Sequence, residues 1–139
     1  MAYFSSYVAW IVALIATFSS LYASEVFHLT PCILCWYQRI VMYQLVIIIA
    51  VGILRKDKGL PLYVLPLSVV GIGIASFHYF LQRGIISDAI APCQLGVSCT
   101  TKYVEWFGFI TIPFLSLVAF VIVTITMYTA WKLSQNKKK

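Results

Sequence analysis

The chain has 139 residues, 62% of them hydrophobic and only 10% charged, with a mean hydropathy of +0.94 and a net charge of +6. So small a charged fraction, against roughly 25% in soluble domains, excludes an ordinary water-soluble globule. A positive charge with no soluble face to spread over also argues against a nucleic-acid surface. The expectation is an all-α integral membrane protein, one domain over residues 1–139 built as a bundle of four transmembrane helices.

The first apolar run covers about residues 4–22. A cleaved signal peptide would want a basic start and small residues at the cleavage site. No Lys or Arg precedes Arg39, and Leu21-Tyr22-Ala23 is a poor cleavage site, so a retained helix is expected. A connection over about residues 23–36 leads into a second helix over 31–54. The third helix is expected over 60–81, the longest connection over 82–106, and the fourth helix over 107–131. Each run is near the ~20 residues needed to cross ~30 Å of hydrocarbon. Tyr and Trp cluster near the expected ends, as interfacial belts do. Pro66, Gly71 and Gly73 interrupt the third run and Pro113 the fourth, which membrane helices tolerate. Gly71 and Ala75, four apart, offer a small face for close helix packing. The long connection carries Ile85, Ile86, Ala89, Ile90 and Leu95, apolar enough to lie along the bilayer interface.

Orientation follows from Lys and Arg. The second connection is net +2 through Arg55, Lys56, Asp57 and Lys58, and Lys132, Lys137, Lys138 and Lys139 add +4 at the tail. Arg39, Arg83 and Lys102 on the other side are balanced by Glu25, Asp88 and Glu105. Both termini are therefore expected in the cytoplasm, and both cysteine-bearing connections on the extracytoplasmic face.

The chemistry concentrates in Thr30-Pro31-Cys32-Ile33-Leu34-Cys35-Trp36-Tyr37-Gln38-Arg39. Thr before Pro is a good helix start. It puts Cys32 and Cys35 in the first turn, where the positive end of the helix dipole favours thiolate. Arg39 lies one turn beyond Cys35 and adds a full charge. The remaining cysteines form a second pair, Cys93 and Cys99, around Gly96, which permits the turn needed to bring them together. Three uses compete. Zinc wants closely spaced ligands, which Cys32/Cys35 satisfies and Cys93/Cys99 does not. Inert disulfides are possible, but a CxxC bridge closes too short a loop to be a strong staple. A thiol–disulfide relay needs what is present here: one activated pair at the membrane, open to a lipid-soluble two-electron acceptor, and one pair in an outward loop open to a soluble dithiol.

Pro31-Cys32-x-Leu34-Cys35-x-x-Gln38-Arg39 resembles the motif of the DsbB family of membrane thiol:quinone oxidoreductases. The compact second pair followed by Phe107-Gly108-Phe109-Ile110-Thr111-Ile112-Pro113 resembles its short, BdbC-type branch. The likeness covers the whole chain, and CxxC with Arg four residues on, opening the second of four helices, is specific. The family's type member separates its loop cysteines by a much longer segment, whereas here five residues intervene, as in the short branch. The resemblance implies catalytic disulfides Cys32–Cys35 and Cys93–Cys99. Cys35 would face the quinone, Cys32 would exchange with the loop pair, and Arg39, with Gln38 nearby, would support quinone binding. Cys93 would form the mixed disulfide with a thioredoxin-like oxidase of the DsbA or BdbD type, and Cys99 would relay to the first pair. It implies a quinone of the membrane pool, menaquinone or ubiquinone, as electron acceptor and no metal, in a multi-pass protein of a bacterial plasma membrane that supports disulfide-bond formation. Reoxidising a DsbA-type partner near −120 mV needs a comparably oxidising sink, and a respiratory quinone is one.

Alternatives remain at this stage. A disulfide-stapled four-helix scaffold or channel would carry the same cysteines without electron transfer. A vitamin-K-epoxide-reductase-like enzyme shares the helical bundle, but its CxxC is expected late in the chain. Arg39 alone would read as a snorkelling anchor. Gln38 serves equally as a hydrogen-bond partner near the site or as a solvent-facing residue. His78, four before Gln82, reads first as a packed histidine bonding a neighbouring helix and second as a functional intramembrane group. Gln44 fits either a quinone pocket or packing, and His28 reads as solvated.

Overall fold

The computed structural model describes residues 2–26, 28, 33–87 and 112–139. Among them the secondary structure is α1 (Ala2–Val26), α2 (Ile33–Leu54), α3 (Leu60–Gln82) and α4 (Ile112–Asn136). All four are long and apolar enough to cross a bilayer. They pack as a ring in which α1 meets α2, α2 meets α3, α3 meets α4, and α4 closes against α1. The helices are apolar around their whole circumference, because they face a packed core on one side and hydrocarbon on the other.

Two helices outrun the apolar segments that suggest them. α1 continues through Ala23, Ser24 and Glu25, and α4 continues through Lys132 to Asn136. Apolarity marks the thickness of the bilayer, and nothing in these polar extensions breaks a helix, so hydrogen bonding carries on into the interface. The Thr30–Pro31 helix start, residues 107–111 and the interfacial stretch of the long connection beyond residue 87 lie outside the described residues.

The core runs along the ring's axis. Phe120, Leu45, Ile49, Met127, Val64 and Val123 fill it, with Ala9, Ala13 and Ala75 fully buried where backbones approach closely. Gly71 is buried against the ring of Phe120, which occupies the space a Cβ would take. This is the close contact expected of the Gly71/Ala75 face, made to α4. Gly52 meets Leu60 in the same way at the turn between α2 and α3. Thr124 donates to Ser68 Oγ at 2.9 Å, and Ser68 donates back to Leu65 O at 3.0 Å. Such an interhelical bond contributes on average about 0.6 kcal/mol in a membrane.

The helix ends are closed by backbone geometry. At the end of α2, Asp57 N donates to Gly52 O and Lys56 N to Ile53 O, with Lys56 in the left-handed region at φ 53°. At the end of α3, Ile85 N donates to Phe80 O and Gly84 N to Leu81 O, with Gly84 at φ 75°. Both are Schellman closures, which satisfy carbonyls a helix leaves orphaned. Asp57 Oδ1 then accepts from Gly59 N at 2.8 Å and sets up the start of α3. Tyr3 and Ser6, the turn at Asp57 and Lys58, and Lys137 and Lys138 all line one cavity. Both ends of the chain and the basic turn therefore share one end of the bundle, where the excess positive charge sits.

Gly71→Ala pushes a methyl into the Phe120 ring and is expected to cost about 1–3 kcal/mol. Gly73, two residues on, has open space around its Cβ direction. Gly73→Ala should hold stability or raise it by up to about 1 kcal/mol. Thermal unfolding of the two purified variants side by side checks this.

Candidate functional site

The opposite end of the bundle holds a cluster of polar side chains within the membrane-spanning helices. α2 supplies three of them in its first two turns: Cys35, Gln38 and Arg39. Cys35 precedes Gln38 by three residues and Arg39 by four, so its side chain lies one turn above the gap between them. The two lower residues leave the helix in different directions and engage different neighbours.

Gln38 turns to α3. It is only 6% exposed, and its Nε2 donates to His78 Nδ1 at 3.1 Å. His78 is 1% exposed, so this bond satisfies two groups that hydrocarbon could not. A ring that accepts at Nδ1 carries its proton on Nε2. Cys35 Sγ lies 4.0 Å from the same Nδ1. Cys35 is half-buried and packs, with Ile74, Phe77 and Ile86, against Leu34 and Leu81, a small apolar cluster joined to the main core through Ile74.

Arg39 turns to α1. Its Nε donates to Ser20 Oγ at 2.8 Å, and its Nη2 donates to Ser20 O at 2.8 Å and to Ser24 Oγ. The guanidinium also lies 5.7 Å from the centroid of the Trp36 ring. Two serines four apart on α1 present both hydroxyls to one side of that helix, which is why a single guanidinium reaches both. The positive charge is thereby fixed one turn below Cys35, toward α1.

The structure thus brings together Cys35, Gln38, Arg39 and His78. Of the two equal roles open to Gln38, it selects hydrogen bonding to a neighbour. His78 takes the packed role, bonding α2, and also contacts the sulfur. Gln44 is exposed on the outer surface, in an open apolar groove with Ile47, Tyr63, Pro66 and Val70. It lies nine residues below Cys35, apart from this cluster. His28 is exposed. Cys32, Cys93 and Cys99, and with them the expected disulfides Cys32–Cys35 and Cys93–Cys99, lie outside the described residues. Ser20 and Ser24 carried no signal in the sequence beyond two hydroxyls in an apolar run.

Residues 4–130 match the family model described as disulfide bond formation protein DsbB. The chain is 48% identical over 121 residues to disulfide bond formation protein C of Bacillus subtilis, covering 87% of this chain and 88% of that one. It is 47% identical over 118 residues to a probable disulfide formation protein C of Halalkalibacterium halodurans, covering 84% and 85%. A probable disulfide formation protein of Metapseudomonas resinovorans is 41% identical over 119 residues, covering 85% and 83%. No solved structure matches.

Gln38→Leu leaves the buried His78 without its amide donor, at an expected cost of about 1–3 kcal/mol. Gln44→Leu removes an exposed amide and should be within about 0.5 kcal/mol of the parent. A clearly lower unfolding temperature for the first variant alone is the expected result.

Proposed function

The chain belongs to the DsbB family, and on that premise we propose that it is a membrane thiol:quinone oxidoreductase that supports disulfide-bond formation. Its electron donor is an extracytoplasmic thioredoxin-like oxidase of the DsbA or BdbD type, and its acceptor is a quinone of the membrane pool, menaquinone or ubiquinone. The observation that carries this reading is the position of Cys35. Cys35 is half-buried against an apolar cluster, beside His78 and one turn from a fixed guanidinium, at the end of the bundle opposite Lys58, Lys137 and Lys138. Because basic residues favour the cytoplasmic side, that end faces outward in a bacterial plasma membrane. A flat apolar ring with carbonyl oxygens suits such a place: the partly exposed Phe77 and Ile86 match the ring, and the Arg39 cation matches the oxygens.

In this reading a thiolate of the reduced partner attacks the Cys93–Cys99 disulfide at Cys93, and Cys99 leaves as a thiolate. A second partner thiol displaces Cys93 and closes the partner's own disulfide. Cys99 then attacks Cys32–Cys35 at Cys32, freeing Cys35 as a thiolate. Cys93 resolves the Cys99–Cys32 bond, restoring the loop disulfide and leaving Cys32 and Cys35 reduced. Quinone takes the electron pair and two protons and departs as quinol, and Cys32–Cys35 closes again. Arg39 stabilises negative charge on sulfur and then on the quinone oxygen, an effect strengthened in a low-dielectric site. His78 presents to the sulfur, at 4.0 Å, the same Nδ1 that accepts from Gln38, and so fixes the polar neighbour of the Cys35 thiol.

Mixing the purified chain with reduced thioredoxin-like oxidase and quinone should bleach the quinone absorbance in step with thiol loss. Cys35→Ser should abolish turnover. Arg39→Gln should raise KM for quinone roughly tenfold or more, the effect of about 1.4 kcal/mol. A protein that folds normally but shows no quinone-dependent thiol loss would instead be a stapled scaffold or channel.

A further inference from the structure

We propose that the cavity at the basic end of the bundle binds the phosphate headgroup of an anionic phospholipid. The cavity measures about 250 Å³ and is walled by three segments far apart in sequence: the start of α1, the turn into α3, and the end of α4 with its tail. Lys58, Lys137 and Lys138 bring three positive charges to it, and Tyr3, Ser6 and Ser134 bring hydroxyls. One carboxylate, Asp57, also lines it, but its Oδ1 is committed to Gly59 N at 2.8 Å within the turn. The lining is therefore net cationic and rich in donors, which is the chemistry a phosphate diester requires.

Its depth fits a lipid. On α4, Tyr128 and Trp131 lie one turn apart with ring centroids at 6.1 Å, and Lys132 Nζ sits 5.3 Å over the Tyr128 ring. Aromatic rings beside a snorkelling lysine mark the headgroup level of a bilayer. Ser134, on the next turn, places the cavity at that level. Pro61 and Ala130 give the cavity an apolar wall, suited to a glycerol backbone rather than to a hydrated inorganic ion. Phe4 and Tyr7, exposed on the adjoining surface of α1, offer a path for acyl chains. A lipid held there would tie the start of the chain, the central turn and the tail to one another.

The test uses the full chain in neutral nanodiscs carrying a small fraction of phosphatidylglycerol, with retained lipid measured by native mass spectrometry and stability by thermal unfolding. The triple variant Lys58→Gln/Lys137→Gln/Lys138→Gln should retain roughly tenfold less phosphatidylglycerol and lose its lipid-dependent rise in Tm. The control Arg55→Gln/Lys56→Gln/Lys139→Gln removes the same charge outside the cavity and should keep both. Equal losses in the two variants would mean diffuse attraction to a basic surface and would overturn the site. So would displacement of the lipid by inorganic phosphate as readily as by short-chain phosphatidylglycerol, which would assign the cavity to a free anion.

Discussion

Gln38 and Arg39 are neighbours in sequence, and an α-helix turns about 100° between them. One is therefore bonded to His78 on α3 and the other to Ser20 and Ser24 on α1. Hydrocarbon offers no substitute partner for an amide or a guanidinium, so each must find its match on a helix beside it. Those two demands hold α2 between its neighbours at a defined rotation. Cys35, one turn above, takes its position from that rotation: the sulfur faces the imidazole on one side and has the guanidinium below it on the other.

The remainder of the bundle keeps the two ends distinct. Its middle is closed by small residues, with Ala9, Ala13, Gly71 and Ala75 letting backbones approach, and by the Thr124–Ser68 bond between α4 and α3. Such packing is direct and rigid, so the lysine cluster at one end and the Cys35 sulfur at the other are held about one bilayer apart. Orientation and chemistry then become a single problem. Whichever side of the membrane the lysine-rich end takes, Cys35 takes the other.

Much of this was legible in the residues alone. Four helices follow from four apolar runs, because a bilayer of given thickness demands a span of given length. The motif Pro31-Cys32-x-Leu34-Cys35-x-x-Gln38-Arg39 pointed to the DsbB family by resemblance, and residues 4–130 match that family's model. What was not legible depends on contacts between helices. Ser20 and Ser24 are unremarkable in composition, and only the meeting of α1 with α2 makes them ligands for Arg39. His78 and Gln38 are separated by forty residues, and periodicity carries no information about which rotations of two apolar helices will face. The true ends of α1 and α4 escaped for another reason, since hydropathy reports where lipid stops and not where a helix does.

The turn at Lys56 shows what such a chain gives up. A left-handed conformation disfavours any residue with a Cβ by roughly 1–2 kcal/mol, and glycine is the usual occupant of this position in a Schellman closure. α3 ends with glycine there; α2 ends with lysine. A glycine at 56 would relax the backbone but delete a cation from the short hairpin that threads α2 and α3 through the bilayer. Local comfort is surrendered at that corner for one more positive charge beside the lysines that gather at this end of the bundle.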